Sequence, residues 1–322
     1  MMQGQHEDNK QLQAIKKKYG FDKPIFTQYL LYLNDLSPIS LHSKNTDDFT
    51  ALDKGKYTAF KLVSTKNKTI VLKRPYLRES YHKSGKKVAS IIGETLPNTA
   101  ILAVTSILIA IFIGVIFGIL SALYKNSFFD KIVSILSIFG MSVPSFFSAI
   151  LFAWFFGFIL HKYTHLNMTG SLYEVDDFGE GKYLQLKNLL LPAFVLGIRP
   201  LAVIIPLMKN SLLEVLDQDY IRTAKAKGLS MYQIVKKHAL KNALNPVVTA
   251  ISGWFASLLA GAVFVEYIFG WNGLGKEIIN ALNQKDYPVI IGSSIIIAAM
   301  FIIINIFVDI IYGWLDPRIK TN

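Results

Sequence analysis

Five stretches of this chain are too long, too apolar and too free of charge to be interior helices of a water-soluble domain. Thr95 to Tyr124, Ile132 to Leu160, Asn242 to Val265 and Tyr287 to Val308 contain no Asp, Glu, Lys or Arg, and Asn188 to Met208 contains only Arg199. The hydrocarbon core of a bilayer is about 30 Å thick, which at 1.5 Å per helical residue requires roughly 20 apolar residues. All five reach that length. Lipid offers backbone amides no partner outside their own segment, so each run is predicted to be a helix. The expected fold class is an all-α, polytopic membrane bundle with five spans in this chain. Composition agrees: 17% of the residues are charged, against about 25% in a soluble domain.

The net charge of +12 does not point to nucleic acid. Half of the 34 Lys and Arg lie before residue 97, and most of the others occupy short gaps between apolar runs. Zero cysteine excludes disulfides, thiolate nucleophiles and cysteine metal sites.

Basic residues accumulate in short cytoplasmic loops. One set of alternate loops holds eleven, from Lys125 and Lys131, through Lys209, Arg222, Lys225, Lys227, Lys236, Lys237 and Lys241, to Arg318 and Lys320. The other holds five: Lys162, Lys182, Lys187, Lys276 and Lys285. The first set is read as inside, which puts the C-terminus in the cytoplasm and everything before Thr95 outside. No apolar run in residues 1–94 could carry them across, and Met1 to Lys10 lacks the features of a signal peptide. The expectation is therefore a further span upstream of Met1; the alternative inverts every loop and puts the most basic one outside.

The domain reading is an external segment 1–94, a membrane domain 95–316 with a cytoplasmic loop 209–241, and a tail 317–322. Within 1–94, Gln11 to Tyr32 has helical spacing through Leu12, Ile15 and Tyr19, broken at Gly20 and Pro24. Tyr57 to Val63 and Thr69 to Lys73 alternate partially around the polar Ser64 to Lys68, which suggests a hairpin. Ser84-Gly85-Lys86-Lys87 imitates a phosphate loop, but the earlier glycine would fall at Ser80 and no strand leads in. No nucleotide site is found.

The long basic loop is the most informative segment. Asp219-Tyr220-Ile221-Arg222-Thr223-Ala224-Lys225-Ala226-Lys227 is a run of good helix formers ended by Gly228, the residue best suited to a left-handed cap. Ser230 can cap a second helix towards Asn242. Two helices joined at a glycine elbow are expected, although a loop that merely fixes topology fits the composition equally well.

Asp219 to Gly228, followed by His238-Ala239-Leu240-Lys241-Asn242-Ala243-Leu244-Asn245-Pro246, resembles the cytoplasmic signature loop of permease subunits in binding-protein-dependent ABC importers of the dipeptide, oligopeptide and nickel branch. Val265-Glu266-Tyr267-Ile268-Phe269-Gly270-Trp271-Asn272-Gly273-Leu274-Gly275, Asp286-Tyr287-Pro288 and Leu315-Asp316-Pro317-Arg318 also look like that family. The resemblance implies the type I importer permease bundle with six spans, so that Gln11 to Leu36 would follow an absent first helix. Residues from about Ser43 to Leu72 look additional. In the wider importer signature the positions of Arg222 and Lys241 are usually an acid and a proline, so a generic motif match is weaker here.

The resemblance further implies a transport subunit of the bacterial inner membrane, not an enzyme. Its partners would be a second, homologous permease, two ABC ATPase subunits that carry ATP and Mg, and an extracytoplasmic substrate-binding protein, with no cofactor or nucleic acid on this chain. The residues implied to couple to the ATPase are Asp219, Tyr220, Arg222, Ala224, Lys225, Ala226, Lys227, Gly228 and His238. Arg199, beside Pro200 at mid-span, would line the pathway or pair across the subunits, since a charge at bilayer depth is costly unless paired or wet; Asp309 is the candidate for a partner within the chain. Glu266, at a span end, is a candidate external contact. Gly114 and Gly118 suit close helix packing, Pro144 should kink its span, and His161 with His165 reads as solvated or interfacial. Intramembrane hydrolases and ion-coupled transporters are the rival classes, but the spans offer no catalytic set and almost no buried acid.

Overall fold

The computed structural model describes residues 19–315 except 46–47, 53–55 and 176–180, together with 13 and 16. Leu12, Ile15 and the tail 317–322 with Arg318 and Lys320 lie outside the described residues, as does the side chain of Asp309. The chain divides into two compact units, Met1–Gly93 with Asn280–Ser294, and Glu94–Ile279 with Ile295–Asn322. The first therefore takes in a stretch beyond Asn280 that the sequence reading gave to the membrane part.

In the first unit Gly20 takes φ +73° and Pro24 precedes helix α1 (Ile25–Leu36), so the two breakers expected in this segment both act. Strands β1 (Ile39–Ser43), β2 (Ala59–Ser64) and β3 (Lys68–Lys73) form an antiparallel sheet in the order β1-β3-β2. The expected hairpin is the β2–β3 pair, with Ser64 opposite Thr69 and a bulge between Lys61 and Val63. The third strand, β1, was not anticipated. The sheet buries Ser40, His42, Thr69 and Lys73. His42 Nδ1 donates to the Thr50 carbonyl at 3.0 Å, leaving Nε2 to accept from Ser40 Oγ at 2.9 Å. Burial pushes the imidazole below its ordinary value and keeps it neutral for that role. Asp35 is the hub: it accepts from Tyr57 Oη at 2.7 Å and Arg78 Nε at 2.9 Å, while its carbonyl accepts from Lys73 Nζ.

The same unit holds the first turns of helices α2 (Val88–Leu123) and α12 (Tyr287–Leu315). A Cβ on Gly292 would lie 2.7 Å from Val88 Cγ1, so these helix starts touch. Asp286 fixes the junction by accepting from the amides of Tyr81 at 3.0 Å and His82 at 3.3 Å and from the Ser80 hydroxyl.

The second unit is a helical bundle of α3 (Phe128–Ser142), α4 (Ser145–Trp154), the short α5 (His161–Thr164), α6 (Lys187–Leu216), α7 (Asp219–Ala226), α8 (Met231–Ile234), α9 (Leu240–Ala243), α10 (Asn245–Phe269) and α11 (Leu274–Gln284), together with most of α2 and α12. A two-stranded ribbon pairs β4 (Tyr173–Val175) with β5 (Lys182–Leu184). Among the described residues, α2, α6 and residues 287–308 of α12 are each long and apolar enough to cross a bilayer. The fifth expected run forms α10, several of whose side chains lie outside the described residues.

The expected single span Ile132 to Leu160 is two helices, α3 and then α4 with a π turn at Phe155–Ile159, meeting at 114°. Pro144 lacks an amide hydrogen, and the residue before a proline is driven out of the helical region. Val143 accordingly sits at φ −80°, ψ 132°. A kink was foreseen; a break this sharp was not. The pair nevertheless travels the length of α6. Asp130 at the start of α3 meets Lys209 at 2.5 Å, Phe152 packs on Phe194, and Asn167 donates to Asn188 at 2.9 Å. From Asn188 to Lys209 is about 30 Å of helix at 1.5 Å per residue, one bilayer core.

Helix α6 stays continuous through Pro192, Pro200 and Pro206 and is the most buried of these spans. Gly114 and Gly118 let α2 approach it: a Cβ at Gly118 would meet Met208 Cβ at 2.6 Å and the Ile205 carbonyl at 2.9 Å.

Candidate functional site

The basic loop begins later than expected, because α6 runs on to Leu216 and takes Lys209 into the helix. After Asp217 and Gln218, α7 starts on Asp219, whose carboxylate faces the positive end of the helix dipole. Its two faces differ sharply. Ile221 and Ala224, three residues apart, are buried with Met208, Leu212, Ile234, Ala239 and Ala243 in one apolar cluster. Arg222, Lys225, Ala226 and Lys227 are exposed on the other face, as is His238 beyond the elbow. Ala224 therefore braces α7 from inside, and Ala226 is the small residue left at the outer surface. The Arg222–Asp219 pair, 3.3 Å apart and exposed on both sides, adds little stability.

Gly228 takes φ +77° at the elbow, and a Cβ there would meet nothing within 4 Å. Ser230 then caps α8 in a reciprocal box: its hydroxyl accepts from Gln233 N, and Gln233 Oε1 accepts from Ser230 N at 3.0 Å. Tyr220 Oη accepts from Asn242 Nδ2 at 2.9 Å and ties α7 to the helix leading into α10. The result is a short helix with a fixed inner face, a positive outer face and rigid links to two long helices. Such a unit can carry a push from a protein docked on its outer face into the bundle.

Arg199 is exposed on the middle of α6, beside buried Pro200, and has no partner among the described residues. Glu266 is placed differently from its expected role. It is fully buried, so it presents nothing to an external protein. Its Oε2 accepts from Gly275 N at 2.7 Å and Lys276 N at 3.2 Å, while Leu274 N donates to Thr99 Oγ1 at 2.8 Å. The first amides of α11 are thus capped by Glu266 and Thr99 from other helices. Two further bonds hold this turn: Trp271 Nε1 donates to the Asn98 carbonyl at 3.1 Å and Asn98 Nδ2 to the Asn272 carbonyl at 2.7 Å. Neither this cap nor the Asp130–Lys209 bolt was foreseen: Thr99 and Leu274, like Asp130 and Lys209, are far apart in sequence, and Glu266, though only nine residues before Gly275, belongs to a different helix. His161 bonds the Leu166 carbonyl at 2.6 Å, and no cluster of three potential metal ligands occurs among the described residues.

A bundle of broken and proline-bearing spans with a braced, basic elbow between two of them is compatible with a membrane transport subunit, and its relatives place it there. Residues 114–321 match the family model described as binding-protein-dependent transport system inner membrane component, and the chain belongs to that family. It is 33% identical over 330 residues to a dipeptide transport system permease protein of Alkalihalophilus pseudofirmus, covering 98% of this chain and 88% of that one. The protein of the same description in Bacillus subtilis is 38% identical over 243 residues, with 76% and 74% covered. That of Escherichia coli is 38% identical over 241 residues, with 68% and 69% covered. The fold is that of a chain in inward-facing structures of the MetNI methionine ABC transporter, with a TM-score of 0.55 at 18% identity over 71% of this chain and 97% of that one. This chain is accordingly the permease component of an ABC importer of the inner membrane.

Proposed function

We propose that this chain forms half of the membrane pathway of an ATP-driven peptide importer and that α7, the Gly228 elbow and α8 receive the stroke of a separate ATPase. The observation that carries the coupling role is the two-faced α7, fixed inside by Ile221 and Ala224, tied to α9 by Tyr220, and positive outside. Peptide as cargo is supported by the dipeptide permeases it resembles. The remaining partners are a second, homologous permease, two ATPase subunits holding ATP and Mg, and an extracytoplasmic binding protein. Arg199 then faces the pathway or the partner permease, where a mid-span guanidinium finds water or a counter-charge.

In this reading the elbow and the C-terminus are cytoplasmic and residues 1–94 are outside. Loop charge supports that orientation. The contact of Val88 with Gly292 supports the alternation of sides, since helix starts on one face of the membrane require an even number of crossings between them. The bent α3–α4 pair, α2, α6 and α10 supply four. Single cysteines at Ser64 and Ser230, in a chain with no native cysteine, should react with an impermeant thiol reagent in intact cells at 64 only. Labelling at 230 and not at 64 overturns the orientation.

Labelled dipeptide should enter vesicles bearing the assembled complex only when ATP and the ATPase are present; equal uptake without the ATPase would sink the importer reading. The double change Arg222→Glu and Lys225→Glu should reduce recovery of the ATPase with the permease, most strongly at low salt, where charge attraction reaches furthest. Unchanged recovery at low salt counts against charge-assisted docking.

A further inference from the structure

The sheet of the first unit has an unusual polarity. Its buried face carries Ser40, His42, Thr69 and Lys73 around the single apolar Val71, while Ile39, Leu72 and Phe60 form one cross-strand row of the opposite face and Leu41, Ile70 and Val63 the next. All six are exposed, Ile39 at 61% and Phe60 at 73%. Asn34 continues this surface onto α1 by bonding both backbone groups of Leu41, at 3.0 and 2.9 Å. Phe26, Leu30 and Leu33, at i, i+4 and i+7 on that helix, are exposed as well. A soluble domain rarely leaves a continuous apolar face uncovered.

Charge and position identify what covers it. Lys44, Lys61, Lys66, Lys68 and Arg74 stand exposed in or beside the strands, and residues 39–45 and 59–74 contain no acid. The polar face is wired to the start of a membrane span: Lys73 bonds Asp35, Asp35 holds the Arg78 side chain, and the Arg78 carbonyl accepts from Val88 N at 3.0 Å. Because the first turns of both α2 and α12 belong to this unit, it stands where two spans leave the hydrocarbon. Two spans starting in this unit bring a bilayer within its reach, and the exposed lysines suit an anionic surface.

We propose, independently of what the chain transports, that the outer face of the β1-β3-β2 sheet, with the adjoining face of α1, seats in the head-group region of the membrane and prefers anionic lipid. The sheet acts as a monotopic foot, apolar side chains entering the interface and lysines meeting lipid phosphates.

The test uses the full chain in nanodiscs containing phosphatidylglycerol, with an environment-sensitive fluorophore on a single cysteine at Phe60→Cys or Leu41→Cys, and at Ser84→Cys as an exposed control. A nitroxide on the shallow part of the lipid acyl chain should quench the labels at 60 and 41 about twofold more than the label at 84. Changing Lys61, Lys66 and Lys68 to Glu should abolish that difference, since each lysine near an anionic surface strengthens attachment by about fivefold. Replacing phosphatidylglycerol with phosphatidylcholine should weaken it in the same direction. Equal quenching at 60, 41 and 84 overturns the proposal. A change at 60 and 41 that is indifferent to lipid nitroxide and appears only on adding the purified binding protein, or only when two copies associate, also overturns it by assigning the face to protein.

Discussion

Gly228→Val is expected to reach the membrane at wild-type levels and to lose most of its dipeptide uptake. The elbow between α7 and α8 sits at φ +77°, where a side chain is strained by about 1–2 kcal/mol and a β-branched one is a genuine outlier. That is enough to lower the population of the native elbow by roughly 5- to 30-fold. A Cβ at this position would touch nothing within 4 Å, so Gly228→Ala tests backbone conformation alone. A graded series follows: Gly228→Asn, which tolerates the left-handed region, should retain most activity, Gly228→Ala less, and Gly228→Val least. The measurement is initial uptake per inserted permease in vesicles carrying the whole complex. If Val, Ala and Asn all transport like the parent chain, the elbow does not aim a coupling helix.

The backbone of this fold was legible where one physical constraint dominated. Runs of bilayer length with no charge, or with Arg199 alone, mark α2, α6 and α12, because a lipid-facing helix can hide its amides only within itself. Gly228 and Ser230 announced an elbow and a cap because φ above zero and an orphaned helix N-terminus each demand a particular residue type. Pro144 announced a kink, but not its size. A proline removes one hydrogen bond, and how far the helix then turns depends on what each half packs against, here α6 on both sides.

Contacts remote in sequence were not legible. Period-two alternation located β2 and β3, yet it does not say which face turns inward, and here most of the apolar side chains turn outward. The inner face is held by Asp35, His42 and Lys73 around Val71. Strand β1 was overlooked because Ile39-Ser40-Leu41-His42-Ser43 is short and ends in polar residues. The family motif drew attention to Glu266 without revealing its work, since a carboxylate at a span end suggests a surface while this one points into the bundle.

Glu266→Leu is expected to destabilise the assembled fold more than any other change at the candidate residues. In the parent chain Oε2 accepts from Gly275 N and Lys276 N, the second and third residues of α11, and Thr99 Oγ1 accepts from Leu274 N. A leucine leaves the two amides without an acceptor in a site closed to water, at about 1–3 kcal/mol for each buried donor. Glu266→Gln keeps one carbonyl oxygen for them and should cost less, although its new NH2 needs a partner in a place where Oε1 has none. The glycines around it leave no room for rearrangement: a Cβ at Gly275 would lie 2.5 Å from Val263 Cα and 2.9 Å from Glu266 Oε2. Gly275→Ala should therefore reproduce much of the Glu266→Leu defect with the carboxylate intact. Hydrogen exchange in detergent reads the cap directly, because the amides of Gly275 and Lys276 should lose protection in Glu266→Leu while those in the middle of α6 keep theirs. Unchanged protection at 275 and 276 would mean that the first turn of α11 is held by something other than this carboxylate. Loss confined to those amides, with dipeptide uptake falling in step, would tie the turn between α10 and α11 to transport.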